Sequence, residues 1–169
     1  MEGEDFVQEA LEPEPDLGTG GAEWEPGFSL WKPQPSPLCE GCPLKSALES
    51  GWTVGMEFVG DFPYEVMFVG EAPGNEELVQ GRPFVGPAGR LLRKVIEESG
   101  LKGGYIIANA VLCAPHQPGS AVKTPDSEVA HRCSGHSLLP IRSKNPPKKV
   151  ILLGKTAIEA VMSHVDPLF

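Results

Sequence analysis

Residues 66–89 read VMFVGEAPGNEELVQGRPFVGPAG, and this stretch decides how the rest of the chain is organised. Val66 to Val69 is a short apolar run with β-branched and aromatic content, halted by Gly70, which is the pattern of a buried strand. A polar loop succeeds it, in which glycines permit tight turns and close backbone approach while Pro73, Pro83 and Pro87 fix φ and stiffen the chain. Into that rigid loop the sequence sets Glu71 directly after the strand, Glu76 and Glu77 at an exposed helix start, a cation at Arg82 and an aromatic at Phe84.

Downstream, Ala88 to Ser99 reads as a helix with Leu91, Leu92, Val95 and Ile96 on one face, and Gly100 stops it. Its expected ion pairs are Arg93/Glu97 and Lys94/Glu98, four residues apart. Tyr105 to Val111 is a second buried strand with Asn109 near its carboxyl end. Thr124 as N-cap and Pro125 at the first helical position start a helix that carries Cys133. Val150 to Leu153 is a third strand, and Lys155 to His164 a third helix. Strand alternating with helix implies a three-layer α/β/α fold around a central parallel sheet, with ligands bound beyond the carboxyl ends of the strands. Glu71 and Asn109 both fall there. The segment LLGKT is not a nucleotide-hydrolysing P-loop, because Lys149 stands where that motif needs its first glycine.

The 169 residues suffice for one domain with a single core, and nothing in them resembles a transmembrane span or a secretory signal. The expectation is a soluble intracellular protein, cytoplasmic and monomeric. A net charge of −9 is the wrong sign for a partner rich in phosphates, yet it is unevenly spread. Residues 1 to 38 hold nine acidic residues against one lysine, which leaves 14 acids and 13 bases for the remainder. The folded part is therefore nearly neutral and has room for a local basic face, with Arg90, Arg93, Lys94, Lys144, Lys148 and Lys149 as candidates. Residues 1–37, rich in Glu, Pro and Gly without sustained periodicity, read as an acidic disordered arm ahead of a domain over residues 38–169. The arm's aromatics, Phe6, Trp24, Phe28 and Trp31, are either part of a plain tether or a segment that docks on a partner.

Cys39 and Cys42 form a C-x2-C pair followed by Pro43, and Cys113 and Cys133 stand far downstream. In a chain without secretory features such a set points to metal ligation rather than disulfides. Four thiolates suit a tetrahedral zinc or a [4Fe-4S] cluster, and spacing alone does not choose. Either would staple the start of the domain to two points more than seventy residues away.

The segments GEAPG at Gly70 to Gly74 and GRPFVGPAG at Gly81 to Gly89 resemble the family 4 uracil-DNA glycosylases, as do Asn109 four residues before Cys113 and LGKTA at Leu153 to Ala157. The resemblance runs from Cys39 to about Ala160. It implies a uracil-DNA glycosylase-like fold and a base-excision-repair enzyme that hydrolyses the N-glycosidic bond of a flipped-out uracil in DNA, leaving an abasic site. For the cysteines it favours the [4Fe-4S] cluster over zinc. It makes Phe84 the stacking platform, Asn109 the reader of the base edge, Glu71 the group that orients water or stabilises the sugar cation, and the backbone of Gly70, Ala72 and Gly74 part of the uracil cradle. The sequence departs from the family in one respect: members carry, beyond LGKTA, a further strand and an H-P-S loop whose His supports the uracil anion. His164 lies too close to LGKTA to inherit that role, and His116, His131 and His136 stand elsewhere in the order. The expectation is a fragment of a longer enzyme, or a shortened relative with weak or no catalysis. The competing reading is a non-catalytic iron-sulfur module of the same fold that binds DNA, or a replication or repair protein through the acidic arm. A zinc-stapled α/β protein with another ligand is a third.

Overall fold

The computed structural model describes residues 28–144 and 146–164. The strand that contains the apolar run Val66–Val69, β3 (Tyr64–Gly70), is central in a five-stranded sheet. On one side of it runs β4 (Gly104–Asn109) and on the other β5 (Lys149–Leu152), both parallel to it. These three strands are the expected parallel core. Two antiparallel strands, β1 (Phe28–Trp31) and β2 (Met56–Val59), extend it beyond β4, giving the order β1-β2-β4-β3-β5. The sheet is therefore mixed rather than wholly parallel. Phe28–Trp31 is an edge strand although it falls in the span read as an arm; residues 1–27 of that arm lie outside the described residues.

Alternation along the strands divides the core in two. Met67 and Val69 of β3, with Met56, Phe58, Ile106 and Ala108, face α4 (Ser127–Ser137), α5 (Leu139–Lys144) and α6 (Lys155–Met162) through Val129, Ala130, Leu138, Ile141, Ala157, Ala160 and Val161. Val66, Phe68 and Ile107 face the other way, onto Ile96 and Leu92 of α3 (Pro87–Glu98). The result is three layers. On α3 only Leu92 and Ile96 turn to the sheet, whereas Leu91 and Val95, expected on the same face, are largely exposed. The helix carrying Cys133 begins two residues later than expected: Asp126 is its N-cap and accepts a hydrogen bond from the Glu128 backbone N–H. No helix among the described residues is long and apolar enough to cross a membrane.

The connections between elements open a site. From β3 the chain passes to α3 on one face, while from β4 and β5 it passes to helices on the other. Loops therefore diverge on both sides of the carboxyl end of β3, which is where open α/β sheets bind ligands. Removal of packing at the sheet centre should be costly. Ile106→Ala, fully buried in β4, is expected to lower the unfolding free energy by about 2–5 kcal/mol in urea titration, against about 0.5 kcal/mol or less for the half-exposed Ile158→Ala.

Candidate active site and cysteine cluster

Gly70 closes β3, and Asn109 closes β4 directly opposite in register. A Cβ on Gly70 would overlap the Phe84 ring and lie 2.7 Å from Asn109 Oδ1. Three of the residues singled out from sequence thus meet at one point, and glycine is required because a ring and a carboxamide converge on its Cα. Asn109 is buried, and its carboxamide has no hydrogen-bond partner among the described residues. A buried amide left unpaired by protein is suited to receiving a ligand. Glu71, the next residue, has its carbonyl fixed by the Val111 N–H at 3.0 Å. Its carboxylate accepts a 2.5 Å hydrogen bond from the Thr156 hydroxyl on α6. Ala72 is partly buried against the larger of the two core clusters, and Gly74 is the N-cap of α2 (Asn75–Gln80).

Phe84 has φ of 54°, the left-handed region that an aromatic residue rarely enters. Such strain persists only where the surroundings over-determine the conformation. Here they do. Arg93 donates through Nε to the Phe84 carbonyl at 2.9 Å and through Nη2 to the Pro83 carbonyl at 2.7 Å. The Glu77 carboxylate accepts from the backbone N–H groups of Val85, at 3.0 Å, and Gly86, at 2.7 Å. A side chain on Gly89 would overlap the Phe84 backbone, so α3 abuts the loop without a gap. Arg90 adds a bond to the Val85 carbonyl at 2.9 Å and pairs with Glu76.

Arg93 is itself held by a buried anion. Glu57, on β2 and fully buried, accepts from both terminal nitrogens of Arg93 at 2.8 and 2.9 Å and from Arg82 at 3.1 and 3.2 Å. The Arg82 guanidinium also lies over the Phe28 ring of β1, 4.8 Å from its centroid. Arg93 therefore belongs to the interior of the site rather than to an outer basic face, and its expected partner Glu97 is replaced by Glu57; the expected Lys94/Glu98 pair is present at 3.7 Å. Lys148 pairs with Glu65, and Lys149 is exposed. Glu57, Glu77, Arg93 and Thr156 were not evident as site residues from sequence. Glu57 alternates with Met56 and Phe58 as a solvent-facing strand residue would, and only Arg82 in the downstream loop and Arg93 on α3 hint at its partners.

The histidines behave differently. His131 and His164 stack with ring centroids 4.1 Å apart and bond Ser163 and Ser134, bracing α4 against α6 away from Glu71. His116 is buried, and neither ring nitrogen has a hydrogen-bond partner among the described residues. Burial, with the nearby Lys123 charge, lowers its pKa.

Cys39 ends a 3-10 turn at Pro37–Cys39, Cys42 follows in the next turn just ahead of the short helix α1 (Lys45–Glu49), Cys113 lies just past β4 and Cys133 is in the middle of α4. All four are free and partly buried. Burial pushes the Cys113 thiol up to about 12, with Cys133, Cys39 and Cys42 adding to the rise, and burial likewise pushes Cys133 up to about 11, helped by Cys39 and Cys42. The four sulfurs are thus within electrostatic reach of one another, although no three metal-binding side chains among the described residues are drawn around a point as they would be for a single ion. Chemically the set fits a cationic metal centre, zinc or an iron-sulfur cluster alike: four thiolates crowded in a partly buried site need positive charge beside them.

Arg93→Met leaves Glu57 with half its compensation, so the unfolding free energy should fall by about 3–5 kcal/mol, with faster amide exchange at Val85 and Gly86; Arg93→Lys should rescue little, since one ammonium cannot span two carboxylate oxygens and two carbonyls. A stability unaltered in Arg93→Met would show the pair to be incidental. For protein with all four thiols free, the raised values mean that the folded state binds protons more tightly than the unfolded one. Stability is then complete below about pH 9, the ordinary thiol value, and declines as pH rises toward 12, a trend that thermal melts in a reducing buffer will show or refute.

Residues 58–167 match the family model described as the Uracil DNA glycosylase superfamily. Among curated proteins the chain is similar to the Type-4 uracil-DNA glycosylase of Thermotoga maritima, 38% identical over 121 residues that cover 71% of this chain and 58% of that protein. It is similar also to the Type-4 uracil-DNA glycosylase of Pyrobaculum aerophilum, 34% identical over 73% of this chain and 59% of the relative, and to that of Archaeoglobus fulgidus, 33% identical over 64% and 52%. The chain thus spans somewhat over half the length of the curated relatives it matches.

Proposed function

Because the chain belongs to the uracil DNA glycosylase superfamily, we propose that it is a uracil-DNA glycosylase of base excision repair, cleaving the bond between uracil N1 and the deoxyribose C1′ to leave an abasic site. The observation that carries this reading is the meeting of Gly70, Phe84 and Asn109 at the carboxyl ends of β3 and β4, with Glu71 alongside.

A base inside a duplex hides its reacting face, so the nucleotide must first leave the stack. Phe84, held rigid at positive φ, offers a flat surface on which the extruded base stacks, worth about 1–3 kcal/mol. The Asn109 carboxamide accepts from uracil N3–H through Oδ1 and donates to O4 through Nδ2. Cytosine presents an unprotonated N3 and an amino group at those places and would oppose like to like. Gly70 is bare because that contact leaves no room beside it, and backbone N–H groups in Gly70–Gly74 complete the cradle. As the glycosidic bond lengthens, its electron pair moves to uracil N1 and positive charge builds on the sugar. Glu71, anionic and held at its backbone and at one oxygen, either orients the attacking water or stabilises that cation.

Cys39, Cys42, Cys113 and Cys133 would hold a [4Fe-4S] cluster that serves as a structural staple and takes no step in the reaction. DNA is the macromolecular partner under this reading, and the protein acts as a monomer inside the cell.

Excision from a labelled uracil-containing oligonucleotide, with cluster content followed by visible absorption, tests the reading. The parent chain should release uracil and leave cytosine untouched; Glu71→Gln and Asn109→Ala should each lower the rate by about 10²–10³-fold without loss of the cluster. Absence of excision by protein with its cluster intact would favour a binding module of the same fold.

A further inference from the structure

We propose that Thr156 is a positioning residue for Glu71: its hydroxyl ties down one carboxylate oxygen so that the other is presented to the reacting sugar. The inference rests on the function proposed above for Glu71 and adds a residue that the GEAPG and GRPFVG segments do not contain.

Topology brings the two together. Glu71 is the first residue beyond β3 and Thr156 the second residue of α6, just beyond β5, 85 positions later. Their hydrogen bond spans the gap where the chain from β3 turns to one face of the sheet and the chain from β5 to the other. The donor is the hydroxyl and the acceptor Glu71 Oε2, at 2.5 Å, a length typical of O–H to an ionised carboxylate. Thr156 is buried and Glu71 only partly so, and Oε1 has no hydrogen-bond partner among the described residues. Backbone and Oε2 are thereby fixed, and one acceptor oxygen is left for water or the sugar.

The hydroxyl does not serve its own helix. Gly154 caps α6 without any side-chain bond, and Thr156 turns its donor across to the end of β3 instead. Beside Thr156, between the N-terminal ends of α4 and α6, lies a cavity of about 110 Å³ lined by Thr124, Ser127, Lys155 and Glu159 among others. Side-chain changes of similar volume at Thr156 therefore meet no overpacking. Valine keeps the shape and removes the donor; serine keeps the donor and removes a methyl group.

The test compares the full parent chain with Thr156→Val, Thr156→Ser and Glu71→Gln. In single-turnover excision, Thr156→Val should be slower by about 10- to 100-fold, as for loss of one hydrogen bond to a charged group, with DNA affinity unchanged. Thr156→Ser should restore the rate. A readout free of activity runs in parallel: the carboxyl carbon-13 resonance of Glu71 at neutral pH, assigned by its absence from Glu71→Gln, should be displaced in Thr156→Val, which removes the hydrogen bond, and should return in Thr156→Ser. If the parent removes no uracil, the function reading falls while the carboxyl resonance still decides whether Thr156 governs Glu71. An unmoved Glu71 resonance in Thr156→Val, or a rate loss that serine does not rescue, would overturn the proposal.

Discussion

A single buried carboxylate sets the geometry of the site. Glu57 carries negative charge into the interior of β2, where an uncompensated ion would be several kcal/mol unfavourable, and two guanidinium groups answer it. Their reach is what matters. Arg93 comes from α3 and Arg82 from the loop before it, so one anion ties the antiparallel edge of the sheet to the helix on one face and to the segment between them. Having satisfied Glu57, Arg93 still has donors for the carbonyls of Pro83 and Phe84, and these hold the backbone where an aromatic residue would not stay unaided. Lysine, with one compact charge and no planar fork, cannot do the same.

The rest of the site depends on that placement. With Phe84 fixed, its ring reaches the Cα of Gly70, and the register between β3 and β4 brings Asn109 to the same spot. From the other side, β5 delivers Thr156 to Glu71. The carboxyl end of β3 is thus approached from both neighbouring strands, one supplying the Asn109 carboxamide and the other a donor for the Glu71 carboxylate. Rigidity of this kind suits a reaction in which charge develops on two fragments at once, since preoriented groups need not reorganise as it appears.

Much of the parallel core was legible in the sequence, for definable reasons. Its strands announce themselves as apolar runs, those of β3 and β5 halted by Gly70 and Gly154, and the helices by their caps and periodicity, so the pattern of residues alone places Glu71 and Asn109 at the carboxyl ends of strands. The edge strands were not legible. Phe28–Trp31 is short, preceded by an acidic Pro/Gly-rich stretch, and is a strand only because β2 pairs with it. Glu57 is not singled out by sequence, and Arg93 reads as a basic-face cation paired with Glu97, for a related reason: each looks like an ordinary surface charge in its own element, and the pairing is 36 residues apart in sequence. On α3 the same blindness made Leu91 and Val95 look like core, because periodicity gives the width of an apolar stripe but not which side of it meets the sheet. Thr156 sits in a segment whose GKT invites a phosphate-binding reading, while its contact is to a carboxylate.

Whether Gly70, Phe84 and Asn109 form a pocket that reads uracil is tested most directly by titrating the intact protein with free uracil and with free cytosine, followed by backbone and side-chain amide NMR. Saturable shifts are predicted with uracil at Gly70, Phe84 and the Asn109 carboxamide, and none of that pattern with cytosine. Equal responses to the two bases, or shifts confined to residues away from the carboxyl ends of β3 and β4, would contradict a base-reading pocket there.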